Sequence, residues 1–113
     1  RKLKSEYKQI LIELDPKEKA VLREFAIQGQ NSIEMPYDNT VVSGLIDKGI
    51  LRFNKQLGNS FIANGTKVSM SMTKYISKII KFEHLDLKEE LSEEEKHLIS
   101  ENRPEWVNSS RRY

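Results

Sequence analysis

The chain has 113 residues, 37% of them hydrophobic and 32% charged, and its 19 Lys and Arg against 17 Asp and Glu leave a formal net charge of +2. That length fits one domain with one modest core. The absence of cysteine excludes a disulfide framework and a thiolate metal site, and no apolar run approaches the roughly 20 residues that span a bilayer.

The first segment, "LKSEYKQILIEL", places Leu3, Tyr7, Ile10, Leu11 and Leu14 on one helical face. "LDPKEKAVLREFAIQGQ" follows with Asp15 as N-cap, Pro16 at the first helical position and Glu18 completing a capping box. Val21, Leu22, Phe25 and Ala26 are its expected buried stripe, and Gly29 its stop. "NSIEMP" alternates Ile33 and Met35 as a short strand or extended link, with Pro36 arguing against a central position.

"YDNTVVSGLIDKG" predicts a short helix capped by Asp38 or Thr40, burying Val41 or Val42, Leu45 and Ile46, and ending at Gly49. "ILRF" sets Ile50 and Arg52 against Leu51 and Phe53 in a strand pattern. Residues 54–66 carry the turn signals Gly58-Asn59 and Asn64-Gly65, and "TKVSMSM" returns with Val68, Met70 and Met72 on one side. "TKYISKIIKF" predicts a helix burying Ile76, Ile79 and Ile80, and "LSEEEKHLISEN" a short helix capped by Ser92 and Glu95. "RPEWVNSSRRY" reads as an irregular tail that Trp106 could pin. The expected fold is α+β: a winged-helix-like domain over residues 15–82, preceded by an amphipathic linker helix at 1–14 and followed by an acidic extension at 83–113.

Charge is unevenly spread. Residues 1–8 carry Arg1, Lys2, Lys4 and Lys8 against Glu6, a balance of +3, whereas residues 83–101 hold eight acids against Lys88 and Lys96, a balance of −6. The basic start is either a solvated helix end or a segment beside a membrane, since Lys and Arg gather at cytoplasmic membrane faces. The Arg1 start raises the expectation that the natural protein is longer.

A winged helix raises the question of DNA. The reading surface over residues 38–60 offers Lys48, Arg52 and Lys55 against Asp38 and Asp47, a balance of only +1. Strong DNA binders make on the order of six to ten phosphate contacts, and no Arg here is placed for a bidentate guanine contact. Nucleic-acid binding through Ser43, Lys48, Arg52 and Lys55 is therefore the alternative, not the leading reading. Lys74, Lys78 and Lys81, at i, i+4 and i+7, form a basic stripe that either faces solvent or meets an acidic partner. His84 and His97 match no metal-ligand spacing, and no serine sits in a nucleophile elbow. No catalytic site, metal or cofactor is expected.

Two stretches together, "LDPKEKAVLREFAIQGQNSIEMP" and "VVSGLIDKGIL", resemble the cytosolic portion of the superinfection exclusion protein B family, encoded by prophages of enteric bacteria. The resemblance covers roughly residues 14–82. It implies an inner-membrane protein in which a hydrophobic N-terminal portion precedes a domain facing the cytoplasm, and a role in aborting the growth of other phages. On that reading this chain is a non-enzymatic interaction domain with an unidentified protein partner. Its candidate interaction surface is Ser43, Lys48, Arg52, Lys55, Lys74, Lys78 and Lys81, and Arg1, Lys2, Lys4 and Lys8 are its membrane-proximal residues. Leu3, Tyr7, Ile10 and Leu11 offer a face on which two copies could pair.

Overall fold

The computed structural model describes residues 4–54 and 67–107. Helix α1 (Lys4–Ile12) leads into α2 (Pro16–Gln28), and the junction is set by local chemistry. Asp15 Oδ1 accepts from the Glu18 backbone N–H at 2.8 Å, while Glu18 Oε1 accepts from the Asp15 N–H at 3.0 Å, closing the expected box. At the other end Gly29 adopts φ 63°, ψ 35°, and its N–H and that of Gln30 close on Ala26 O and Phe25 O. This left-handed cap is where glycine avoids a Cβ penalty.

The chain then enters β1 (Ile33–Pro36), α3 (Thr40–Asp47), β2 (Leu51–Phe53) and β3 (Lys67–Met72). The three strands form one antiparallel sheet in the order β1-β3-β2. Ile33 pairs with Met70 and Met35 with Val68 on one side of β3, and Leu51 pairs with Met72 on the other. Ile33, Met35, Leu51, Val68 and Met70 are buried, so the core lies on this face of the sheet. β1 is an edge strand, which is where Pro36 is tolerated without losing a ladder hydrogen bond.

Several expectations need correction here. The cap of α3 is Asn39, not Asp38 or Thr40: its Oδ1 accepts from the Val41 and Val42 N–H groups at 2.9 and 3.2 Å. Val42 and Leu45 are its buried residues. Ile50 and Leu51 are both buried, because Gly49 (φ 82°) turns the chain and Ile50 lies in that turn, ahead of the strand. Phe53, on the Leu51 side of the edge strand β2, is 38% exposed. In α2 Ala20 is buried and Ala26 is exposed.

Helix α4 (Lys74–Ile79) stops earlier than its apolar pattern suggests, since Ile80 is already extended at ψ 140°. Only Ile76 is fully buried there, with Ile79 and Ile80 partly so. A 3-10 turn, η1 (Phe82–Leu85), and helix α5 (Glu93–Glu101) complete the chain. Ser92 and Glu95 form the predicted capping box of α5, at 3.1 and 2.8 Å.

One core joins all of these elements. Leu11 and Leu14 from the α1 end, Leu22 and Phe25 from α2, and Leu85, Leu87 and Ile99 from the C-terminal part belong to the same buried cluster. Burial of each such side chain contributes about 1.5–3 kcal/mol. Tyr7 rests against Gly49, with its hydroxyl 3.4 Å from where a Cβ would project, and its ring lies 5.3 Å from that of Tyr75. Leu11 is 1% exposed within its own domain, so it is not offered to a second copy. Leu3 lies outside the described residues.

Candidate functional site

Helix α2 organises the polar chemistry of the domain. An amphipathic helix buries a stripe, yet every residue from Ala20 to Phe25 is buried here. Both α3 and η1 pack against α2, and the C-terminal segment reaches it through Arg103. Four of its charged side chains each reach a distant part of the chain. Glu18 Oε2 accepts from Lys48 Nζ just after α3, while its other oxygen holds the helix cap. Lys19 Nζ meets Asp86 Oδ2 at 3.1 Å. Arg23 Nη1 donates to Leu85 O at 2.9 Å, fastening η1. Glu24, fully buried, accepts from Arg103 Nε at 2.8 Å and Nη2 at 2.7 Å, and from Gln28 Nε2 at 2.8 Å.

The electrostatics follow this geometry. Burial pushes the Arg23 guanidinium below its ordinary pKa, with Asp86 and Glu24 pulling the other way. The hydrogen bonds to Glu24 hold Arg103 above its ordinary value, so the fork stays charged throughout the physiological range. No side-chain nitrogen or oxygen buried in the described residues lacks a hydrogen-bond partner.

The sequence candidates are differently disposed. Lys48 is committed to Glu18. Ser43 Oγ points back to Thr40 O at 3.4 Å. Arg52 is exposed and donates to Asn54 Oδ1 at 3.2 Å; Asn54 in turn donates to Ser69 and Ser32. Lys74 and Lys78 are exposed on α4, but Lys81 lies past the helix in extended backbone (φ −125°, ψ 160°), so the three do not form one helical stripe. Lys4 and Lys8 are exposed on α1. Arg1, Lys2, Lys55 and the expected wing loop at 55–66 lie outside the described residues. His84 Nδ1 accepts from the Lys81 N–H, and His97 meets Glu101 at 3.2 Å. Among the described residues no group of His, Asp and Glu could hold a metal, and no helix is long and apolar enough to cross a membrane.

Between α2, the start of α3 and the C-terminal segment lies a cleft of about 710 Å³. Ala20, Val21, Val41, Leu98 and Trp106 supply its apolar lining, and Lys17, Arg103 and Glu105 its charged edge.

The family model for super-infection exclusion protein B matches residues 1–84, well over half of the chain. This chain belongs to the super-infection exclusion protein B family. The membership carries a role in superinfection exclusion. No curated protein and no solved structure matches the chain. The matched part of this family member contains α1 to α4 and the whole described sheet, together with Glu18, Arg23 and Glu24. Asp86 and Arg103, which two charged groups of α2 reach, fall beyond it. Neither Glu24 nor Arg103 carries a local sequence signal, because each finds its partner 79 residues away.

Proposed function

We propose that this chain is a non-enzymatic interaction domain through which a prophage-encoded exclusion protein acts at the cytoplasmic face of the inner membrane. Family membership supports the exclusion role. The exposed Lys4 and Lys8 of α1 support a position near anionic lipid, held there by a separate hydrophobic segment of the kind the family implies. The order helix, strand, helix, strand, strand, with sheet order β1-β3-β2, favours a winged-helix-like scaffold carrying one helix between its first two strands.

The observation that carries a protein-binding reading over DNA reading is the pairing of Lys48 with Glu18. The cation best placed at the helix–strand junction already neutralises a nearly buried carboxylate. Asp47 beside it is exposed and would meet phosphates unfavourably.

Two experiments test this reading. Membranes from cells expressing the intact gene, washed with salt and then carbonate, should retain the protein; release into the soluble fraction would overturn the anchored placement. A titration of this domain with duplex DNA at low salt should give no saturable binding. Saturable binding that is lost in Arg52→Ala would favour a winged-helix regulator instead.

A further inference from the structure

The C-terminal segment does not behave geometrically like the rest of the fold. Leu85 and Leu87 are buried in the core, and Arg23 and Lys19 fasten the backbone and Asp86 beside them. Immediately after, Lys88, Glu89 and Glu90 are exposed and belong to no helix or strand. From there to Val107 the chain spans the outer face of α2 while touching the core at few points. Ile99 is the one buried residue of α5, whereas Leu98, which lines the cleft of about 710 Å³, is 55% exposed. Its capping box and the Lys88–Glu95 ion pair are internal to it.

What binds it to the domain is mainly the Arg103 fork on Glu24, aided by Ile99, the partly buried Leu91 and Trp106, and a bond from Lys67 Nζ to Trp106 O at 3.2 Å. A unit with few apolar contacts and one charged latch opens separately from a close-packed core. The carboxylate it leaves behind is suited to a planar, two-pronged cation.

We propose that residues 88–107 form a detachable strap, latched by Arg103 on Glu24, whose release uncovers a guanidinium-binding face of α2 made by Ala20, Val21, Glu24 and Gln28. A partner that presents an arginine from an apolar surface would take the place of Arg103.

Native-state hydrogen exchange on the wild-type chain tests the strap. Amides of α5 should exchange through a sub-global opening whose free energy and denaturant slope are both smaller than the global ones, while the Leu22, Val42 and Met70 amides exchange only by global unfolding. Equal exchange free energies with equal denaturant dependence in α5 and α2 would show one cooperative unit and overturn the proposal. In Arg103→Lys, which keeps the charge but loses the fork, α5 protection should fall roughly ten-fold with core protection unchanged; a parallel fall in both would count against it. Methylguanidinium chloride should raise the melting temperature of Arg103→Ala above that in equimolar methylammonium chloride, with no such difference for wild type. Identical behaviour of the two salts on Arg103→Ala would sink the guanidinium site.

Discussion

Arg103 lays its guanidinium on the fully buried carboxylate of Glu24, making bonds of 2.8 and 2.7 Å across 79 residues of sequence. The pair fastens the C-terminal segment to α2. Together with the bond from Arg23 to Leu85 O, it accounts for the burial of Arg23 and Glu24 in a helix expected to bury one apolar stripe.

The two residues should be energetically coupled. In a double-mutant cycle on Glu24→Gln and Arg103→Met, each single change should leave one polar group without its partner. The double variant should recover about 0.5–3 kcal/mol relative to the sum of the singles. Denaturant titrations of the four proteins measure this, and strict additivity would mean that the fork contributes nothing in solution.

Glu18 serves two structures at once, so its replacement should cost more than that of its neighbours. Asp15→Ala removes one half of the capping box and should destabilise by ~1 kcal/mol. Glu18→Ala removes the other half and also strands Lys48, so it should destabilise more than either Asp15→Ala or Lys48→Ala alone. Thermal unfolding of the three variants ranks them, and a neutral Glu18→Ala would contradict the shared role.

Gly49 is held at φ 82° beneath the Tyr7 ring. An alanine there meets the left-handed backbone penalty, with the Tyr7 hydroxyl at ordinary contact distance, so Gly49→Ala should lose about 1–2 kcal/mol. Gly44→Ala makes a fitting control: it lies inside α3 with open space around it and should be neutral or stabilising by up to ~1 kcal/mol. Urea midpoints compare the two.

The elements that were legible in the sequence are those specified by near neighbours. Asp15, Pro16, Glu18 and Gly29 mark both ends of α2, Ser92 and Glu95 start α5, and Val68 and Met70 alternate toward the core. The candidate site was far less legible. Lys48 belongs to the expected interaction surface, yet its partner Glu18 lies 30 residues away, and Arg23 and Glu24 meet Leu85 and Arg103 only 62 and 79 residues further along. Periodicity reports which face of a helix is apolar; it does not report what a second layer of chain will cover.

Acid should loosen the C-terminal segment. The Lys88 ammonium, followed by the Ser92 backbone N–H, holds the Glu95 carboxyl below its ordinary pKa. A carboxylate depressed in the folded state contributes stability that is present above its unfolded pKa and lost as pH falls through the folded one. The α5 helix should therefore be fully formed at neutral pH and weaken below the ordinary glutamate range. Glu95→Gln should flatten that dependence in helix content followed by circular dichroism, and an unchanged acid profile would remove Glu95 from this role.

The most direct test of the exclusion role is the plating efficiency of challenge phages on cells expressing the intact gene. Phages susceptible to exclusion should plate poorly on cells carrying the wild-type domain. Plating should recover with Leu22→Asp, which forces a charge into a position with no solvent exposure and unfolds the domain. Normal plating of every challenge phage, with the folded wild-type protein present in the cells, would contradict a role in superinfection exclusion.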